Sequence, residues 1–152
     1  MGKETQRMAR QVEKAFDKQP WYGSSVMKIL SGIDPAIVTR QHGNTNSIIA
    51  LVLHMASWRT FVTKRLQGDN DFEVSEENNF PKPGAWKDAL AAIAETQAAL
   101  LKAIQNFPDE RLDELVPSKT MKYTYYTLIH GIVQHDVYHL GQIAYISKSL
   151  EE

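Results

Sequence analysis

Apolar residues recur at three- and four-residue spacing through four long stretches of the chain, and polar, proline-bearing segments separate them. Met8, Val12, Ala15 and Phe16 mark one side of a first helix over about 3–19, broken by "QPWYGSS". A short helical piece, "SVMKILSG", is ended by Gly32 and Pro35. "NTNSII" reads as a helix start, because Asn46 or Ser47 offers a short side-chain acceptor to the free backbone N–H groups. The second long helix then covers about 46–67, with Ile48, Val52, Met55, Val62 and Leu66 as its stripe and Gly68 as its stop. Trp86, Leu90, Ile93, Leu100, Ile104 and Phe107 place a third helix over about 85–106, with Gln97 the one polar member of that row. A fourth covers about 125–150. All six prolines, at 20, 35, 81, 83, 108 and 117, fall between these stretches. No stretch alternates as a strand does, and no repeat is evident. Stripes of this kind bury one another most simply in an all-α, antiparallel four-helix bundle forming a single domain over 1–152.

Two segments depart from the simple pattern. The stretch "GDNDFEVSEENNFPKPG" is polar and turn-rich, and reads as a long functional or mobile loop. The fourth helix carries a second apolar row, Val133, Val137, Leu140 and Ala144, and two interior glycines, Gly131 and Gly141. A helix apolar on two sides calls for two partners. The second partner is either the first helix or another subunit, and the glycines leave room for a close backbone approach.

Composition narrows the classes of function. With 17 basic and 18 acidic residues, the net charge is −1, and no basic block attracts nucleic acid or anionic lipid. There is no cysteine, hence no disulfide, thiolate ligand or cysteine nucleophile. No apolar run reaches the roughly 20 residues that span a bilayer. The N-terminal stretch lacks the apolar segment of a secretory signal, so a cytoplasmic location is expected.

The candidate chemistry lies in "HDVYHLGQ". At about 100° per residue, His135 and His139 lie about 40° apart on one stripe, with Leu128 and Ile146 between them. Imidazoles at i and i+4 can turn nitrogens toward one ion, but such pairs also occur on solvated faces. His54 lies at the flank of the second long helix's stripe, where it suits a ligand facing a cleft or a histidine bonded across a groove. Three neutral imidazoles with an open position make a familiar catalytic metal site. His130 lies about 180° from His139 and is excluded from the set while the helix is regular, and His42 sits in a loop. Asp136, about 100° from His135, is expected to back a ligand or to face solvent. Gln142 and Tyr138 are placed to orient a ligand.

The chain resembles the DinB/YfiT-like superfamily of metal-binding four-helix bundles. The resemblance is carried by "PWYGSSVMKILSGI", "NTNSIIALVLHMASWRTFVTKRLQG", "WKDALAAIAETQAALLKAI" and above all "HDVYHLGQIAYI". It implies a divalent ion, zinc or nickel, held by His54, His135 and His139, and a homodimer. Some members transfer a small thiol such as bacillithiol or mycothiol, so the resemblance also implies a low-molecular-weight thiol as cofactor and a small-molecule substrate. Three functions follow for testing. One is a metal-dependent thiol transferase, with hydrolysis by metal-bound water as its neighbour. Another is a non-catalytic metal- or ligand-binding stress protein. The last is a helical interaction module.

Overall fold

The four long apolar stretches are helical in the computed structural model, which describes residues 2–151. Its helices are α1 (Lys3–Asp17), α2 (Val26–Ser31), α3 (Ile48–Leu66), α4 (Glu76–Asn79), α5 (Trp86–Asn106) and α6 (Tyr125–Leu150). Single 3-10 turns stand at Pro35–Ile37 and Asp109–Arg111, and one isolated bridge pairs Leu115 with Thr124. The protein is all-α. The two end residues of the expected 1–152 domain lie outside the described residues. Among the described residues, no helix is long and apolar enough to cross a membrane.

Local chemistry accounts for the ends. Ser47, not Asn46, caps α3, its hydroxyl accepting from the Ala50 N–H. Gly68 follows α3 with φ +86°, a conformation open to glycine and strained for other residues. Thr124 caps α6 through the Thr127 N–H. The N-terminus of α1 is capped from afar: the Asp109 carboxylate accepts from the N–H groups of Glu4 and Thr5, both at 2.9 Å. A Cβ at Gly2 would come within 2.1 Å of that carboxylate, so a larger residue there would displace the cap.

Two apolar clusters stack along the helices. The first holds Met8 and Val12 of α1, Val62 and Leu66 of α3, Leu100 and Ile104 of α5, and Ile129 and Ile132 of α6. The second holds Phe16, Ile48 and Val52, Ala89 and Ile93, and Leu140 and Ile143. Their order along each helix gives its direction. α1 and α6 run from the first cluster to the second, and α3 and α5 run the other way. Each of α1 and α6 packs against α5 or α3 in the opposite direction, but α3 packs along α5 in the same direction, and α1 along α6 likewise. The antiparallel expectation is corrected on this point. The cause is the connection 67–85. It starts at one end of the molecule and delivers α5 at the other, so it is a crossover and not a tight turn.

That crossover is also not a free loop. It contains α4, and the buried Arg65 ties its start down, donating to the carbonyls of Asp69 (3.0 Å) and Phe72 (2.6 Å) and to Glu73 (2.6 Å). The glycines of α6 differ from expectation too. A Cβ on Gly131 or Gly141 meets nothing within 4 Å, so no backbone of this chain approaches them. In the second apolar row of α6, Leu140 is in the core and Val133 packs against it, while Val137 and Ala144 are half-buried. Of that row only Leu140 is fully buried within the chain.

Candidate metal centre

Between the two apolar clusters lies a polar layer. Arg59 of α3 is 1% exposed and Asp136 of α6 is 3% exposed. The Arg59 guanidinium donates to Asp136 and to the Gln97 side-chain oxygen, its Nε donates to Thr96 (3.0 Å), and its face lies over the Phe16 ring at 5.0 Å. Gln97, the odd polar member of its row, is there to accept from this arginine. Burial pushes the Asp136 carboxyl up to about 6, against the opposing pull of Arg59. Asp136 therefore neither faces solvent nor backs a histidine; it locks α6 to α3 one residue from His135. Arg59 escaped the sequence reading, although it fills the gap in the stripe between Met55 and Val62. An arginine there reads as an interruption until its buried partners are known.

The register set by this layer brings three histidines together. His54 of α3 meets His139 of α6 with Nε2 atoms 3.1 Å apart, and His139 Nε2 stands 3.2 Å from His135 Nε2. One nitrogen from each lies within 4.8 Å of the others. Three nitrogens held about 2.0–2.1 Å from one tetrahedral ion would stand roughly 3.3 Å apart. The cluster is thus close to the size of a zinc-class ion's ligand set.

The tautomers sharpen the fit. His54 Nδ1 donates to the backbone carbonyl of Asn79 at 2.8 Å, and His139 Nδ1 donates to Gln142 Oε1 at 2.7 Å. Each ring then carries its one neutral-state proton on Nδ1, which leaves both Nε2 atoms as bare acceptors. Two lone pairs facing each other at 3.1 Å repel unless a cation or a shared proton lies between them. Nδ1 of His135 has no protein partner. Burial, then the neighbouring His139 and His54, press the His135 pKa down to about 4. Burial and His54 outweigh the Gln142 bond to lower that of His139 as well. Near neutrality His135 and His139 are therefore uncharged, the form that binds metal.

His54 is 7% exposed and not at an open flank. The crossover covers it. Phe80 stacks on its ring at 4.2 Å and 8°, and Asn79 accepts both from His54 and, through Oδ1, from the Trp58 indole at 2.9 Å. Ser57 bonds the Asn78 carbonyl at 2.5 Å. Asn79 and Phe80 lay hidden in a polar stretch with no periodicity to reveal them. Gln142 orients His139, as its spacing suggests, while Tyr138 is exposed with its ring edge-on to His139 at 5.0 Å. The His130 ring lies tilted against Tyr126 at 4.4 Å, and His42 lies 6.0 Å from the Tyr145 ring; neither joins the cluster. A concavity of about 1090 Å³ between α1 and α2 lies elsewhere; its lysines and acids are those of a solvated surface.

A model of the DinB superfamily matches residues 23–143. The chain belongs to the DinB superfamily. The matched span includes all three clustered histidines, the crossover and Arg59, and it leaves α1 outside. No curated protein matches the chain. Membership in the DinB superfamily and the histidine cluster agree with metal binding, and neither specifies a reaction.

Proposed function

We propose that this DinB-superfamily protein is a metal-dependent enzyme. His54, His135 and His139 hold one divalent ion, zinc or nickel, and the reaction transfers a small external thiol to an electrophilic substrate. The observation that carries the metal reading is the pair of Nε2 atoms facing each other at 3.1 Å while Nδ1 of each ring is bonded to an oxygen elsewhere. When bound, the ion would supply Lewis acidity, favouring thiolate over thiol near neutral pH. The chain supplies the rest. Asn79 and Gln142 fix two ring tautomers. The Arg59–Asp136 pair holds the register of α3 on α6. Phe80 covers the His54 ring on the crossover side, and the Trp58 ring stands beside His135 at 5.9 Å. The absence of cysteine means that the nucleophilic sulfur has to arrive with a cofactor thiol.

The test is product formation from a panel of small thiols with an electrophile, comparing metal-loaded wild type with His54→Ala. A rate above background in the wild type alone supports the transferase. No thiol-dependent rate, together with metal-dependent cleavage of activated esters, replaces it with a hydrolase. Neither rate, with metal still bound, leaves a metal- or ligand-binding protein. We also propose a cytoplasmic homodimer of helical bundles. The exposed face of α6, with Tyr138 at 65% and Tyr145 at 68% exposure beside the open Gly141, is a better contact than the Val133–Val137 row. A monomer by light scattering at micromolar concentration would remove the dimer.

A further inference from the structure

Beside the histidine cluster lies a cleft of about 280 Å³ between α3, the start of α6 and the irregular segment before it. Trp58, Met121, Tyr123, Gly131 and Ile132 line it, and its last wall is the His135 ring. Among the described residues, no charged side chain lines it. Its floor is the bare backbone at Gly131, where an added Cβ would meet nothing. A glycine inside a helix is less stable than an alanine there. Gly131 brings no close packing within the chain in return, but it does keep this space open. Trp58 is held in place by its bond to Asn79 Oδ1, so that wall is rigid. Met121, 68% exposed, is a flexible, polarisable lip. An apolar cavity of roughly 150 Å³ is enough for benzene, so this volume holds an aromatic ring or a short alkyl chain with room for a link.

We propose that the cleft binds an uncharged apolar group of the substrate, an aromatic ring or short alkyl chain, and presents its reacting end toward His135. This assigns a substrate class and rests on the histidine cluster being the reaction centre. An apolar pocket with a few polar groups at one end is the usual form of a small-molecule site. The lack of charge along the walls argues against an anionic group in this position, since burying one there unpaired would cost too much.

The test uses toluene as the probe and benzenesulfonate as its charged counterpart, followed in methyl spectra of the purified protein. Toluene should shift the Val62, Leu128 and Ile132 methyl signals saturably, and benzenesulfonate should bind at least tenfold more weakly. Gly131→Leu, which fills the floor, should weaken toluene at least tenfold with helix content and metal content unchanged. Met121→Lys, at the exposed lip, is the second variant should Gly131→Leu fail to fold, and it should weaken toluene at least threefold. His54→Ala should lose metal and keep toluene, which separates failure of the cleft from failure of the metal site. Absence of saturable shifts in the wild type, equal binding by the charged probe, or unchanged affinity in the folded variants would overturn the proposal.

Discussion

At the scale of single residues, each of the three clustered histidines differs in how it is held, and the difference is testable. His139→Ala should release the ion, and His130→Ala, whose ring lies tilted against Tyr126 outside the cluster, should retain it. Metal content after gel filtration decides, and equal retention by both would count against the assignment. The pH dependence follows from the lowered pKa values. Imidazole ordinarily protonates near about 6.5. His135 is pressed to about 4 and His139 is lowered, so protons compete for the site only at lower pH. Metal release should therefore have its midpoint clearly below the ordinary histidine value. The metal-free protein carries the matching penalty. Between about 6.5 and about 4 the unfolded chain takes up a proton at His135 that the folded chain refuses, so folding stability should fall as pH drops through that window. Denaturant melts at several pH values measure it, and a flat profile would contradict the burial argument.

At the scale of elements, α6 carries both the site and two glycines that nothing in the chain approaches. Gly141→Ala adds a methyl group to open space on an exposed face and removes the glycine cost. In the isolated chain it should stabilise the fold by about 1 kcal/mol, seen at low protein concentration as a melting temperature higher by roughly 2–4 °C. At concentrations where the proposed dimer forms, the added methyl group should weaken the contact, and an unchanged dimer would count against that face. The start of α1 depends on a distant residue. Backbone N–H donation from Glu4 and Thr5 holds the Asp109 carboxyl below its usual range. Asp109 therefore adds stability that is present above the normal aspartate pKa and is lost as pH falls through its lowered one. Asp109→Ala should lower the melting temperature at pH 7 and fray α1, with exchange of the Glu4 and Thr5 amides as the readout.

At the scale of the whole molecule, the polar layer is the joint between two apolar halves. Arg59→Met leaves Asp136 buried without its partner and should cost about 3–5 kcal/mol. Arg59→Met with Asp136→Leu removes both charges and should regain much of that stability. If the layer sets the register of α3 on α6, the double variant should still bind metal more weakly than wild type. Unchanged affinity would limit the pair to stability alone.

The sequence by itself determined the helices and the histidines. Apolar spacing, caps and proline placement are local, so α1, α3, α5 and α6 lie within two residues of their expected bounds at either end. The i, i+4 geometry of one helix ties His135 to His139 whatever the tertiary fold. Helix direction is not local. That α3 and α5 run side by side in one direction depends on the crossover, whose polar residues show no period. Its contacts with His54 through Asn79 and Phe80 exist only once the chain has folded across α3. The same holds for Arg59, Gln97 and Asp136. In sequence they are three polar residues on apolar helices, and only packing places them in one dry layer where charge must be matched.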